Sequence, residues 1–140
     1  MTIVLKKNFF SFFLMSYNFG RLVFVESPYK GENWGKTEEN KKYALDCMKD
    51  CFINYNEAPF ASHVAYIHEG LLDDKNPEER KMGMEAGWAY AKYTEASVFY
   101  IDFGMSEGMK AGLENAMENK RRIEFRSLFG KNFINSELFY

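Results

Sequence analysis

The sequence has no surplus of positive charge: 18 lysines and arginines stand against 20 aspartates and glutamates, a formal net charge of −2. A dedicated nucleic-acid binder carries a basic excess, so no nucleic-acid partner is expected. A local basic patch remains, Lys120-Arg121-Arg122 with Arg126. It reads either as cations at a helix C-terminus, where they suit the helix dipole, or as a phosphate site. Cysteine is scarce. Cys47 and Cys51, four apart in a helical pattern, read as small core residues on one helix face. Without further ligands at suitable spacing they make neither a zinc site nor a disulfide framework. No metal and no cofactor is expected, and a reducing cytoplasm fits. Long apolar runs are missing too. Lys6-Lys7 and the stretch from Asn8 to Met15 resemble the start of a signal peptide. The run is too short to cross a bilayer, and no small-x-small cleavage site follows, so no membrane partner is expected. Internal repeats and low-complexity segments are absent.

What is present is the composition of an ordinary globular chain, 46% hydrophobic and 27% charged over 140 residues, enough for one domain with one core. Residues 1–20 read as an N-terminal extension. Met15-Ser16 offers an alternative start, and an oligomer-contact arm or a secretion signal are the other readings of this segment. Residues 21–128 form the domain. Residues 129–140, ending in Phe139-Tyr140, read as an apolar tail that docks on a neighbouring subunit, so a homo-oligomer, a dimer or larger, is expected.

Within the domain, Arg21 to Glu26 is a β-branched and aromatic run ended by Ser27-Pro28-Tyr29-Lys30-Gly31, a strand followed by a loop. Thr37 reads as an N-cap with Glu38 and Glu39 in the first turn. Tyr43, Ala44, Cys47, Met48, Cys51 and Phe52 then repeat at helical spacing. Glu57 to Val64 reads as a short strand feeding a loop, with Ala65 to Lys75 irregular. Asn76-Pro77-Glu78-Glu79 is a strong helix start, and that helix runs to about Lys92. A buried strand spans Ala96 to Asp102. A helix capped by Ser106 runs to about Asn119, and residues 122–126 form a last strand. Strands alternating with helices imply a parallel sheet.

In open α/β sheets ligands bind beyond the carboxyl ends of the strands, where loops and helix N-termini converge. The residues placed there are the candidate ligand-binding set. Ser27, Tyr29, Lys30 and Gly31 form the first strand-end loop: Tyr29 offers a ring for a base or a hydroxyl for a sugar, and Lys30 a charge for a phosphate. His63 ends the second strand, facing a ligand or making a structural hydrogen bond. Asp73-Asp74 either caps the following loop or binds ribose hydroxyls, with Asp73 taken as the candidate. Asp102 ends the buried strand and is a candidate for ribose contact. Ser106, Gly108 and Met109 form the turn that opens the last helix, where free N–H groups suit an anion. Trp88 and Tyr90 read as core or subunit contacts before a base-stacking platform, and His68 as exposed.

Four of these motifs in order carry a resemblance: Ser27-Pro28-Tyr29-Lys30-Gly31, Ala58-Pro59-Phe60-Ala61-Ser62-His63, Leu72-Asp73-Asp74 with Pro77-Glu78-Glu79-Arg80, and Ser106-Glu107-Gly108-Met109. Across roughly residues 22–126 the chain resembles small, mostly uncharacterised bacterial and phage domains similar to nucleoside 2-deoxyribosyltransferases. The resemblance implies a Rossmann-like three-layer α/β sandwich with a mostly parallel sheet of four or five strands, an oligomer, and a pocket for a small-molecule nucleoside or nucleotide. In those transferases a glutamate on the helix after the Ser/Gly turn attacks the anomeric carbon of the sugar. The matching position here is Gly112, which has no carboxylate. The resemblance therefore implies a nucleotide-binding frame without the usual nucleophile, one use of which is to sequester a nucleotide signal of host defence. An active N-glycosidic enzyme using Glu107 is the alternative, and a structural or interaction module is the third reading.

Overall fold

The computed structural model describes residues 18–130. The proposed extension up to residue 17 and the tail from residue 131 lie outside the described residues. Four strands, β1 (Arg21–Glu26), β2 (Glu57–Phe60), β3 (Ala96–Tyr100) and β4 (Ile123–Arg126), form one sheet in the order β2-β1-β3-β4. Every pairing is parallel, with Arg21 opposite Glu57, Val23 opposite Ala96, and Ser97 opposite Ile123. Four described helices connect them: α1 (Trp34–Asn54), α2 (Ser62–Tyr66), α3 (Pro77–Ala91) and α4 (Glu107–Glu118). This is the Rossmann-like α/β arrangement expected, with four strands. No helix among the described residues is long and apolar enough to cross a membrane.

The strand period of two divides the core into two layers. Val23, Val25, Val98 and Tyr100 point to one face, where Tyr43, Cys47 and Cys51 of α1 cover them. Both cysteines are free and buried, and burial pushes their thiols up, as core residues require. On the other face Phe24 and Glu26 meet α3 and α4. An added Cβ at Gly87 of α3 would lie 2.5 Å from Ser62 Cβ and 3.2 Å from Phe24 Cζ. One at Gly112 of α4 would lie 2.3 Å from Glu26 Oε1. Bare backbone at Gly87 thus makes room for Ser62 and Phe24, and at Gly112 for the Glu26 carboxyl.

Local chemistry sets the helix starts, with two differences from the sequence reading. Asn33, not Thr37, caps α1: its Oδ1 accepts from the Lys36 amide at 2.9 Å. Thr37 sits inside the first turn, where its hydroxyl donates to Asn33 O and accepts from the Gly31 amide, both at 3.1 Å. The strand expected to feed a loop up to Val64 stops at Phe60, and Ser62–Tyr66 form a single helical turn and a half in its place. Asn76 and Ser106 cap α3 and α4 as read from the sequence.

A buried ion pair ties the two edge strands together beneath α1. Arg126 of β4 donates to both oxygens of Glu57 of β2, at 2.7 and 2.9 Å, with side chains 3% and 4% exposed. Arg21 of β1 reaches the same carboxylate at 2.7 Å and Glu124 at 2.5 Å. Burial opposes the Glu57 charge, yet the two guanidiniums outweigh it and hold the carboxyl below its usual range. Removing one partner of such a pair leaves an uncompensated buried charge. Glu57→Ala is expected to lower unfolding free energy by about 3–5 kcal/mol in urea titrations, while Glu57→Leu combined with Arg126→Met recovers most of the loss.

Candidate functional site

Beyond the carboxyl ends of β1 and β3 lies a pocket of about 370 Å³. Of the residues singled out from sequence, Ser27, Tyr29 and Lys30 reach it from the β1 loop, and His63 from the start of α2. Ser106, Glu107, Gly108 and Met109 reach it from the first turn of α4. The three candidates outside its lining have structural work instead. Gly31 packs where a Cβ would lie 2.5 Å from Lys36 Cβ. Asp73 is exposed, and its Oδ1 accepts the Lys75 amide at 2.9 Å, capping the loop. Asp102 accepts hydrogen bonds from Tyr43 and Ser127 and from the amides of Leu128 and Phe129 at 2.9 and 3.1 Å. Burial works against its charge, but these donors hold its carboxyl below the usual range. Asp102 thus fastens the segment after β4 to the sheet.

Six further lining residues were not among those candidates: Glu26, Ser62, Asp74, Arg80, Met84 and Trp88. Asp74 is the inward member of the Asp73-Asp74 pair. Its carboxylate accepts from Arg80 Nη1 at 3.1 and 3.3 Å, and burial raises its pKa against the opposing charges of Arg80 and Lys30. Trp88, read from sequence as a core or subunit contact, is half-buried in the pocket wall. Tyr90 is exposed and stacks on Phe60 with centroids 4.4 Å apart. His68 is exposed, as expected.

Ser27 Oγ and His63 Nε2 share a hydrogen bond of 3.0 Å, and the Tyr29 ring meets the imidazole edge-on at 5.6 Å. Burial pushes the His63 pKa down to about 4, so the ring is neutral at physiological pH and offers one donor and one acceptor. Ser106 Oγ accepts the Met109 amide at 3.2 Å and so orders the turn at the pocket mouth. Glu107 stands at the rim, its side chain 88% exposed and paired with Lys110 at 3.0 Å.

Glu26 differs from every other carboxylate near the pocket. It is the last residue of β1, and its carboxyl fills the space that Gly112 leaves: an added Cβ at 112 would lie 2.3, 2.7 and 3.1 Å from Oε1, Cδ and Oε2. No hydrogen bond or ion pair engages it among the described residues. Burial pushes its pKa up to about 8, with the charge of Arg121 pulling less strongly the other way. The signal was present in the sequence. Leu22, Phe24 and Glu26 alternate on one face of the strand, so a charge stands where the pattern calls for an apolar residue.

The folded state keeps the Glu26 proton between its ordinary pKa of 4.5 and about 8, whereas the unfolded chain releases it. Stability therefore falls as pH rises through that window. His63 slopes the opposite way between about 4 and 6.5, and Glu26→Gln leaves that slope in place, so the difference between the two chains isolates the Glu26 effect. Denaturant unfolding is expected to show Glu26→Gln gaining on the parent chain by about 2–4 kcal/mol between pH 5 and pH 8.5.

Against known proteins the fold has a solved counterpart. A 2-deoxyribosyltransferase from Bacillus psychrosaccharolyticus superimposes with a TM-score of 0.53 at 14% identity, over 82% of this chain and 77% of that one. At that identity the likeness is one of fold. No curated protein matches the chain. A family model described as a domain of unknown function, DUF7768, matches residues 21–126, from the first residue of β1 to the last of β4, and the chain belongs to that family.

Proposed function

We propose that the chain binds a nucleoside or nucleotide in the pocket at the strand ends. One observation carries the reading: aromatic rings, cations and a helix N-terminus line the same 370 Å³ space. Tyr29 and Trp88 offer faces or edges for a base. Lys30, Arg80 and the first turn of α4 offer positive charge for a phosphate, and the helix dipole adds to it. His63, held neutral, and Asp74 offer hydrogen bonds to ring nitrogens or sugar hydroxyls. The volume falls within the range of small-molecule sites, about 300–1,000 Å³. The fold shared with a 2-deoxyribosyltransferase supports a ligand that contains an N-glycosidic bond.

Two features bear on what happens to the ligand. Glu107, the carboxylate considered for catalysis, points into solvent and is tied to Lys110, which speaks against it as the reacting group. A store that returns its ligand unchanged, as in sequestration of a nucleotide signal, needs no unpaired carboxyl in its wall, yet the half-buried Glu26 is one among the described residues.

Titration calorimetry with matched nucleosides and 5′-monophosphates tests the ligand class. At least one pair is expected to bind, the monophosphate more tightly and with affinity that falls as salt rises. Lys30→Ala is expected to weaken the monophosphate about 3–10-fold and leave the nucleoside unchanged, since an exposed lysine acts as a point charge. Binding of neither class overturns the reading.

A further inference from the structure

We propose that Glu26 is the acid that cleaves the N-glycosidic bond of the compound held in this pocket, an assignment that rests on the nucleoside or nucleotide reading above. The acidic groups of this molecule differ in what holds them. Glu57 is gripped by Arg126 and Arg21, Asp102 by two hydroxyls and two amides, and Asp74 by Arg80. Glu26 alone of these has no partner among the described residues, and it is the one that the strand end presents to the pocket. Glu26 is half-buried, and a desolvated carboxyl without a partner costs stability that an apolar residue at this strand position would not.

The space for it is made by a second residue. Gly112 stands on the buried face of α4 with its missing Cβ 2.3 Å from Glu26 Oε1, so any side chain there would displace the carboxyl. Strand and helix are thus complementary at this point. A carboxyl rises from β1 into a gap left on α4, beside Met109 and one turn below the helix start that lines the pocket.

The surroundings suit an acid. Burial raises the carboxyl to about 8, so it carries its proton at neutral pH. Arg121, just after α4, has a buried Nη1 with no hydrogen-bond partner among the described residues, and its charge favours the carboxylate that forms when the proton leaves. In the reaction the Glu26 proton passes to a ring nitrogen of the base as the C1′–N bond breaks, with the bonding pair going to the base. A water oxygen then bonds to C1′, and the proton it loses returns to the Glu26 carboxylate. The sum is nucleoside plus water giving free base plus free sugar, or sugar phosphate when a nucleotide is bound. The carboxyl ends in the state in which it began.

The test uses the full chain and a panel of ribo- and deoxyribonucleosides with their 5′-monophosphates. Binding is read by calorimetry and base release by chromatography. The parent chain is expected to release base from a compound it binds. Glu26→Gln, which keeps the shape and loses the proton, is expected to bind that compound within about threefold and to release base at least 100-fold more slowly, the scale of a lost general acid. Glu26→Asp is expected to fall between the two. A folded Gln variant with the parent rate overturns the assignment, as does a parent chain that binds a compound and leaves it intact. If the Gln variant does not fold, Gly112→Ala serves, because it crowds the carboxyl out of place. It is expected to cut release about tenfold, and an unchanged rate overturns the assignment. A parent chain that binds no compound in the panel fails the nucleotide reading itself, a result distinct from binding without release.

Discussion

The close approach of two helices to one strand shapes this molecule. α3 and α4 meet β1 through glycines, Gly87 against Phe24 and Ser62, and Gly112 against Glu26. A methyl group at 87 would meet Ser62 of α2 nearer than 3.0 Å, and one at 112 would meet the Glu26 carboxyl, so each glycine leaves room for a neighbouring side chain. That shapes the pocket as well, because Glu26, Trp88 and Met109 in its wall belong to these same elements and Ser62 of α2 packs on Gly87. The constraint also moves chemistry between elements. With no side chain at 112, the carboxyl at this point of the wall comes from the strand rather than from the helix.

Charge is handled in two ways. Away from the pocket, opposite charges are joined: the Glu57 carboxylate is held by Arg126 and Arg21 beneath α1, and it links both edge strands through the middle of the sheet. Inside the pocket, burial drives ionisable groups toward their neutral forms. Glu26 and Asp74 are raised and His63 is lowered, each with desolvation as the largest cause. The result is a wall that offers the neutral Glu26 and His63 beside the Asp74–Arg80 ion pair and Lys30. A low-dielectric interior strengthens every polar contact a ligand makes there, and a proton held on a carboxyl is then available for transfer.

Much of the frame is legible in the sequence because it depends on short-range signals. Asn76-Pro77 and Ser106 are caps whose side chains bond amides two or three residues away, and the structure shows those bonds. The uniform apolar run of β3 is legible for a similar reason: a strand covered on both faces needs no alternation. The start of α1 is less so, because Asn33 and Thr37 are both capping residues one turn apart, and they cooperate. The α2 turn was hidden by Pro59 and by its brevity. Among site residues, the loop after β1 and the α4 turn follow from the rule that ligands gather at strand ends. Choosing between Asp73 and Asp74 needs the direction of the chain at the loop. Asp102 needs knowledge of the segment folded back on it. Glu26 is different: its period-two position marks it as inward-facing, but its meaning depends on Gly112, far along the chain and visible only when strand and helix are packed together.

Glu26 faces the ligand pocket as a half-buried carboxyl that keeps its proton at neutral pH. Its side-chain carboxyl carbon, followed by carbon-13 NMR across a pH titration with Glu26→Gln to identify the signal, tests this most directly. A midpoint near pH 8 is expected in the free protein, displaced when a nucleoside or nucleotide binds. A midpoint at the ordinary carboxyl value of 4.5, unmoved by ligand, would contradict it.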